Sequence, residues 1–150
     1  EICACLVGSE MCIRDSNAIP SKAVVTLSAR SEDVGAIKTL LEYYEKQYQH
    51  EFGVKDPGLT LVVEDIATPE VVYADDTSEA LISYLYIAED GVHSMSQTIE
   101  NLVETSNNLA IVAETNHTID ILVSVRSSNE NSLEYLTKKL LLLLEWIKDW

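Results

Sequence analysis

Residues 102–126 read LVETSNNLAIVAETNHTIDILVSVR, and the fold turns on how this stretch is taken. Leu109, Ile111 and Ala113 alternate ahead of a polar Thr115-Asn116-His117-Thr118 turn, and Ile119, Ile121, Val123 and Val125 alternate after it. Period-two alternation on both sides of a short polar break is the pattern of an antiparallel hairpin with one buried face. Asn107 and Asn108 interrupt the first strand, and a bulge is expected there. The outward positions Asp120, Ser124 and Arg126 are polar, so the second face of this sheet is available to solvent, a partner or another domain.

Toward the C-terminus, Asn129 or Asn131 can cap a helix in which Leu133, Leu136, Leu140, Leu143 and Ile147 keep helical spacing. Upstream, residues 91–100 read as loop. Asp75, Asp76 and Thr77 supply capping groups for a helix through about Ala88, with Ala80, Leu81, Tyr84, Leu85 and Ala88 inward. A Pro57-Gly58 turn precedes a strand over Leu59–Ile66. Ser31 offers an N-cap for a long amphipathic helix ending near Gly53, in which Val34, Ile37, Leu41, Tyr44 and Tyr48 recur at spacings of three and four. Ala23–Arg30, rich in β-branched residues, is a first strand. The order β-α-β-α-β-β-α predicts an α+β two-layer sandwich: a four-stranded, mainly antiparallel sheet with its helices packed on one face.

A chain of 150 residues has room for one core. Ten Lys and Arg against 25 Asp and Glu give a net charge of −15, a field that repels phosphate backbones and anionic lipid surfaces. Nucleic acid and membranes are therefore excluded as partners. The 47% hydrophobic content is too high for a disordered chain. No apolar run approaches the roughly 20 residues of a spanning helix, and the leucine run Leu140–Leu144 is closed by Glu145. The leucine run and the tyrosines at 43, 44 and 48 read as packing residues, the run being open to cover by a further domain or subunit.

No self-contained catalytic constellation is visible. The five glycines never cluster, so no phosphate-cradling loop exists. His50, His93 and His117 fall at a helix end, in a loop and in a turn, all read as surface positions. Glu64-Asp65 would point to opposite faces of a strand, and Asp75-Asp76 serve as capping groups. Asn116-His117-Thr118 matches the glycosylation pattern by chance, with no export signal beside it. All three cysteines lie within residues 1–16; Cys3-x-Cys5-x6-Cys12 lacks a fourth ligand and fits no common zinc spacing. The run Cys5–Ser16 resembles translated sequencing-adaptor read-through. Residues 1–16 are accordingly read as a non-native or disordered segment whose deletion leaves folding unchanged, and 17–150 as one domain.

Three ordered segments sharpen this picture: Asn17-Ala-Ile-Pro-Ser-Lys-Ala23, Val103-Glu-Thr-Ser-Asn-Asn-Leu-Ala110 and Val125-Arg-Ser-Ser128. Together, from Asn17 to about Lys139, they resemble the lid, or dimerisation, domain of the aminoacyl-histidine dipeptidases, cytosolic metallopeptidases related to carboxypeptidases and aminoacylases. The resemblance implies a ferredoxin-like lid inserted between two halves of a catalytic domain that holds two zinc ions. Those halves supply every metal ligand, so this stretch has no catalytic or metal-ligating residue and is inert alone. It implies that Asn17 contacts substrate and that Arg126 grips the terminal carboxylate of a dipeptide, with homodimerisation through the lid and a cytoplasmic location. The glycine-rich histidine segment of the family is absent upstream of Asn17, and Leu140–Trp150 departs from the family pattern, so native sequence is read as ending near 139. The other reading is a free-standing α/β small-ligand-binding or oligomerisation module without catalysis. A coding frame that continues both ways, with a His-x-Asp motif upstream, separates the two.

Overall fold

The computed structural model describes residues 4–11, 21–115 and 118–148. The described elements are β1 (Ala4–Met11), β2 (Ala23–Ala29), α1 (Val34–Phe52), α2 (Asp75–Ile87), β3 (Gly91–Met95), β4 (Val103–Thr115), β5 (Thr118–Ser127) and α3 (Glu130–Lys148). The class is α+β with antiparallel strands, as expected. The described strands form a two-stranded β1-β2 sheet and a three-stranded β3-β4-β5 sheet rather than one sheet of four. β1 also runs beside β4, which brings the two sheets together.

The β4-β5 hairpin is the centre of the molecule. Its register pairs Thr105 with Ser127, Asn107 with Val125 and Val112 with Ile121. The register shifts between Leu109 and Ile111, not at Asn107-Asn108, which pair regularly with Val125 and Ser124. Ala110, with no exposed surface, sits at the shift, where a small side chain tucks into the locally tighter twist. The two asparagines break the apolar pattern for another reason: Asn107 is buried and hydrogen-bonded through both ends of its amide.

Helices α2 and α3 cover the inner face. Leu81 and Val112 form the core, with Tyr73, Leu85, Leu109, Ile119 and Ile121 packed on it. Tyr84, Leu136, Leu140 and Ile147 are buried as the helical spacing requires. Each fully buried side chain of this size contributes roughly 1.5–3 kcal/mol. Asn129 is the cap residue of α3, accepting the Ser132 N–H through Oδ1 at 3.3 Å. The N-cap residues of the other helices make no side-chain cap bond: α2 starts after Ala74, with Asp76 in its first turn accepting the Thr77 N–H, and α1 starts after Asp33 rather than at the expected Ser31 cap.

Two expected elements differ. Residues 91–100 are not all loop, because β3 pairs with the start of β4. Gly91, at φ 108°, permits the entry that an L side chain would strain, and Ser96 closes the far end by accepting the N–H groups of Thr98 and Ile99. Leu59–Ile66 is extended but joins no ladder among the described residues. It runs back along α1: Gln49 donates to the Leu59 carbonyl, Glu45 accepts the Leu61 N–H, and Lys38 pairs with Asp65. Helix side chains thus take the polar groups that a neighbouring strand would have taken, and Val62 is left 76% exposed.

The stripe of α1 is half-buried at Val34, Ile37 and Leu41 and exposed at Tyr44 and Tyr48, and no residue of that helix is fully buried. Tyr43, Tyr44, Tyr48 and Phe52 instead form a ladder of rings at 5.5, 6.0 and 6.3 Å between successive centroids.

Candidate functional site

Alternate residues of a strand point to opposite faces. On β4, Thr105 and Asn107 face the helices, so Ser106 and Asn108 face outward. Their cross-strand partners are Arg126 and Ser124. The hairpin therefore lays Val103–Ala110 beside Val125–Ser128 and builds an outer face of two hydroxyls, an amide and a guanidinium. Arg126 is exposed there. Its planar fork of N–H donors suits a carboxylate, which accepts two parallel hydrogen bonds. Asn17 and His117 lie outside the described residues.

The inner face carries a second polar group of residues, which the sequence reading missed. Asn107 donates through Nδ2 to the Glu89 carbonyl at 2.7 Å, which fixes its amide orientation. Its Oδ1 lies 2.6 Å from His93 Nε2, so that nitrogen is the donor. His93 Nδ1 faces Glu89 Oε2 at 3.6 Å, and the same carboxylate oxygen receives Lys139 Nζ at 2.8 Å. The hydrogen bond from Lys139 holds the Glu89 carboxyl below its ordinary range, and Glu89 in turn raises the Lys139 ammonium. Glu89, β3, β4 and α3 are thereby tied together.

A cleft of about 330 Å³ opens beside this group, with Thr105, Ser132, Tyr135 and Lys139 among its walls. An apolar groove of about 300 Å³, walled by Ile87, Leu140 and Trp146, shares Leu136 and Lys139 with it. The only available sequence signal was that His93 lies two positions after a glycine and ahead of the hairpin; its partners Glu89 and Asn107 lie 4 and 14 positions away, and Lys139 lies 50 positions from Glu89.

Two of the other candidate carboxylates are engaged. Asp65 pairs with Lys38, and Asp76 accepts the N–H of Thr77. Among the described residues, no group of three or more His, Cys, Asp and Glu could hold a metal ion. Nor is any helix among them long and apolar enough to cross a membrane.

No family model matches the chain. It is 26% identical over 124 residues to the cytosol non-specific dipeptidase of Escherichia coli K12, an alignment covering 83% of this chain and 26% of that protein. Its fold matches the crystal structure of aminoacylhistidine dipeptidase from Vibrio alginolyticus with a TM-score of 0.90 at 26% identity, over 97% of this chain and 29% of that one. The resemblance drawn from the three motif segments is thus borne out in sequence and in fold. The chain spans about a quarter to three tenths of the length of these relatives.

Proposed function

We propose that this chain is the lid portion of a zinc-dependent dipeptidase acting on Xaa-His type dipeptides, closing over the substrate and joining two subunits. The observation that supports this most directly is the hairpin register, which sets two motif segments side by side with Arg126 at the polar outer face. A dipeptide ends in a carboxylate, and the Arg126 fork grips it in one orientation while Ser106, directly across the ladder, lends a hydroxyl. Asn17 adds an amide able both to donate to and accept from the peptide backbone. The names of the two relatives supply the reaction class, peptide-bond hydrolysis, and the word cytosol in one supports a cytoplasmic location.

A zinc ion, held outside these residues, would supply Lewis acidity toward a peptide carbonyl and toward water. The described residues offer no set of ligands that fits it, so the metal belongs to the remainder of the parent protein. What this chain contributes is grip and closure, and alone it is expected to be inactive.

The test restores the flanking catalytic sequence and replaces Arg126 by Ala. Loss of charge-assisted hydrogen bonds should raise KM for dipeptides by about tenfold or more, while substrates with a blocked C-terminus change little. Equal effects on both substrate types would reject the role.

A further inference from the structure

We propose that the cleft between β3, β4 and α3 binds a free α-amino acid. It opens on the face of the sheet away from Arg126, because Thr105, which lines it, is the strand neighbour of Ser106. At about 330 Å³ it lies at the small end of ligand sites. This cleft does not depend on the dipeptidase reading.

The charges choose the ligand. Lys139 lines the cleft and is held at 2.8 Å to Glu89, which borders the adjoining apolar groove. A simple anion meets Glu89 and the field of a chain carrying −15, whereas a simple cation meets Lys139. A molecule bearing both charges a few ångströms apart can join or replace the mutual contact of the pair without leaving either member unpaired. Its carboxylate goes to Lys139, with the hydroxyls of Ser132 and Tyr135 in the same cleft, and its ammonium goes to Glu89.

The side chain has a place as well. Leu136 and Lys139 form a wall common to the polar cleft and the apolar groove lined by Leu140 and Trp146. A large apolar side chain laid across this wall leaves water, so leucine binds more tightly than glycine.

The experiment is an NMR amide titration of the 150-residue chain at pH 7 with L-leucine, leucinamide and 4-methylvalerate. Leucine should give saturable shifts at His93, Ser132 and Leu136 with a Kd below about 10 mM. Leucinamide, lacking the carboxylate, and 4-methylvalerate, lacking the ammonium, should each bind at least about tenfold more weakly. Glu89→Gln and Lys139→Met should each weaken leucine by a similar factor.

Should either variant lose its dispersed spectrum, Asn131→Glu serves instead. It adds a carboxylate at the cleft in the first turn of α3, where the helix dipole favours negative charge, so the fold is kept while the ligand's carboxylate is repelled. Absence of saturation, equal binding of the single-charge analogues, or indifference to Asn131→Glu would each overturn the proposal. So would shifts confined to Ser106, Ser124 and Arg126, an outcome that leaves the Arg126 reading standing.

Discussion

Tyr73 donates its hydroxyl to Glu114 Oε2 at 2.8 Å, closing the segment before α2 onto the end of β4. Burial, the hydrogen bond and the negative charge of Glu114 all favour the neutral phenol, and its pKa is pushed up to about 12 from 10.0. A pKa raised by folding means that the contribution is complete below about pH 10 and is lost as pH rises toward 12. Tyr73→Phe should therefore lower unfolding free energy by about 0.5–1 kcal/mol at pH 7, discounting for solvent screening. The gap between the two proteins should stay flat to about pH 9 and close between about pH 10 and 12, as read by urea unfolding at each pH. A gap that widens with alkali would mean that Glu114 is not the partner. Asn107 illustrates the same scale from the buried side: its two amide contacts make a polar residue tolerable in the helix-facing row of β4, and no local pattern announces them.

Among the elements, those that bury a stripe against the hairpin keep the bounds that the periodicity predicts. Val112 is 1% exposed and faces Leu81, so Val112→Ala should cost roughly 2 kcal/mol by chemical denaturation, whereas Val62→Ala, at a 76% exposed position, should stay within about 0.5 kcal/mol. Asn129→Ala should remove about 1 kcal/mol through loss of the α3 cap, a change that Asn129→Ser largely restores. The hairpin, α2 and α3 were legible because local pattern and long-range burial agree in them. Leu59–Ile66 shows why agreement is needed: its alternation is strand-like, but a strand exists only where an edge receives its N–H and C=O groups, and among these the Leu61 N–H and the Leu59 carbonyl went to Glu45 and Gln49 of α1. β3 failed in the opposite sense, its Gly91-Val-His-Ser-Met95 being too short and polar to show a period, yet it is paired because the start of β4 offered an edge. Among the candidate residues, Arg126 was singled out only by its motif and lies exposed on the outer face, whereas the inner group depends on residues from four separate parts of the chain.

For the whole molecule, the strongest test concerns the first sixteen residues. Their composition suggests foreign sequence, which predicts that deleting them changes nothing. The backbone points the other way: β1 pairs with β2 from Ala4↔Ala29 to Met11↔Ala23 and also runs beside β4. Without β1, β2 keeps no ladder partner among the described residues, and Val25 and Leu27, already 59% and 45% exposed, hold it by few apolar contacts. An isolated strand of this kind does not persist, because its backbone groups return to water and its ordering entropy is no longer offset. A chain beginning at Asn17 should therefore melt several degrees lower than the full chain, the shift expected for a loss of about 1 kcal/mol or more at this size. Amides of β2 should exchange with solvent on the timescale of open segments. Unchanged melting together with protected β2 amides would show that another part of the chain pairs with β2 in place of β1, and would return residues 1–16 to the status that their composition suggests.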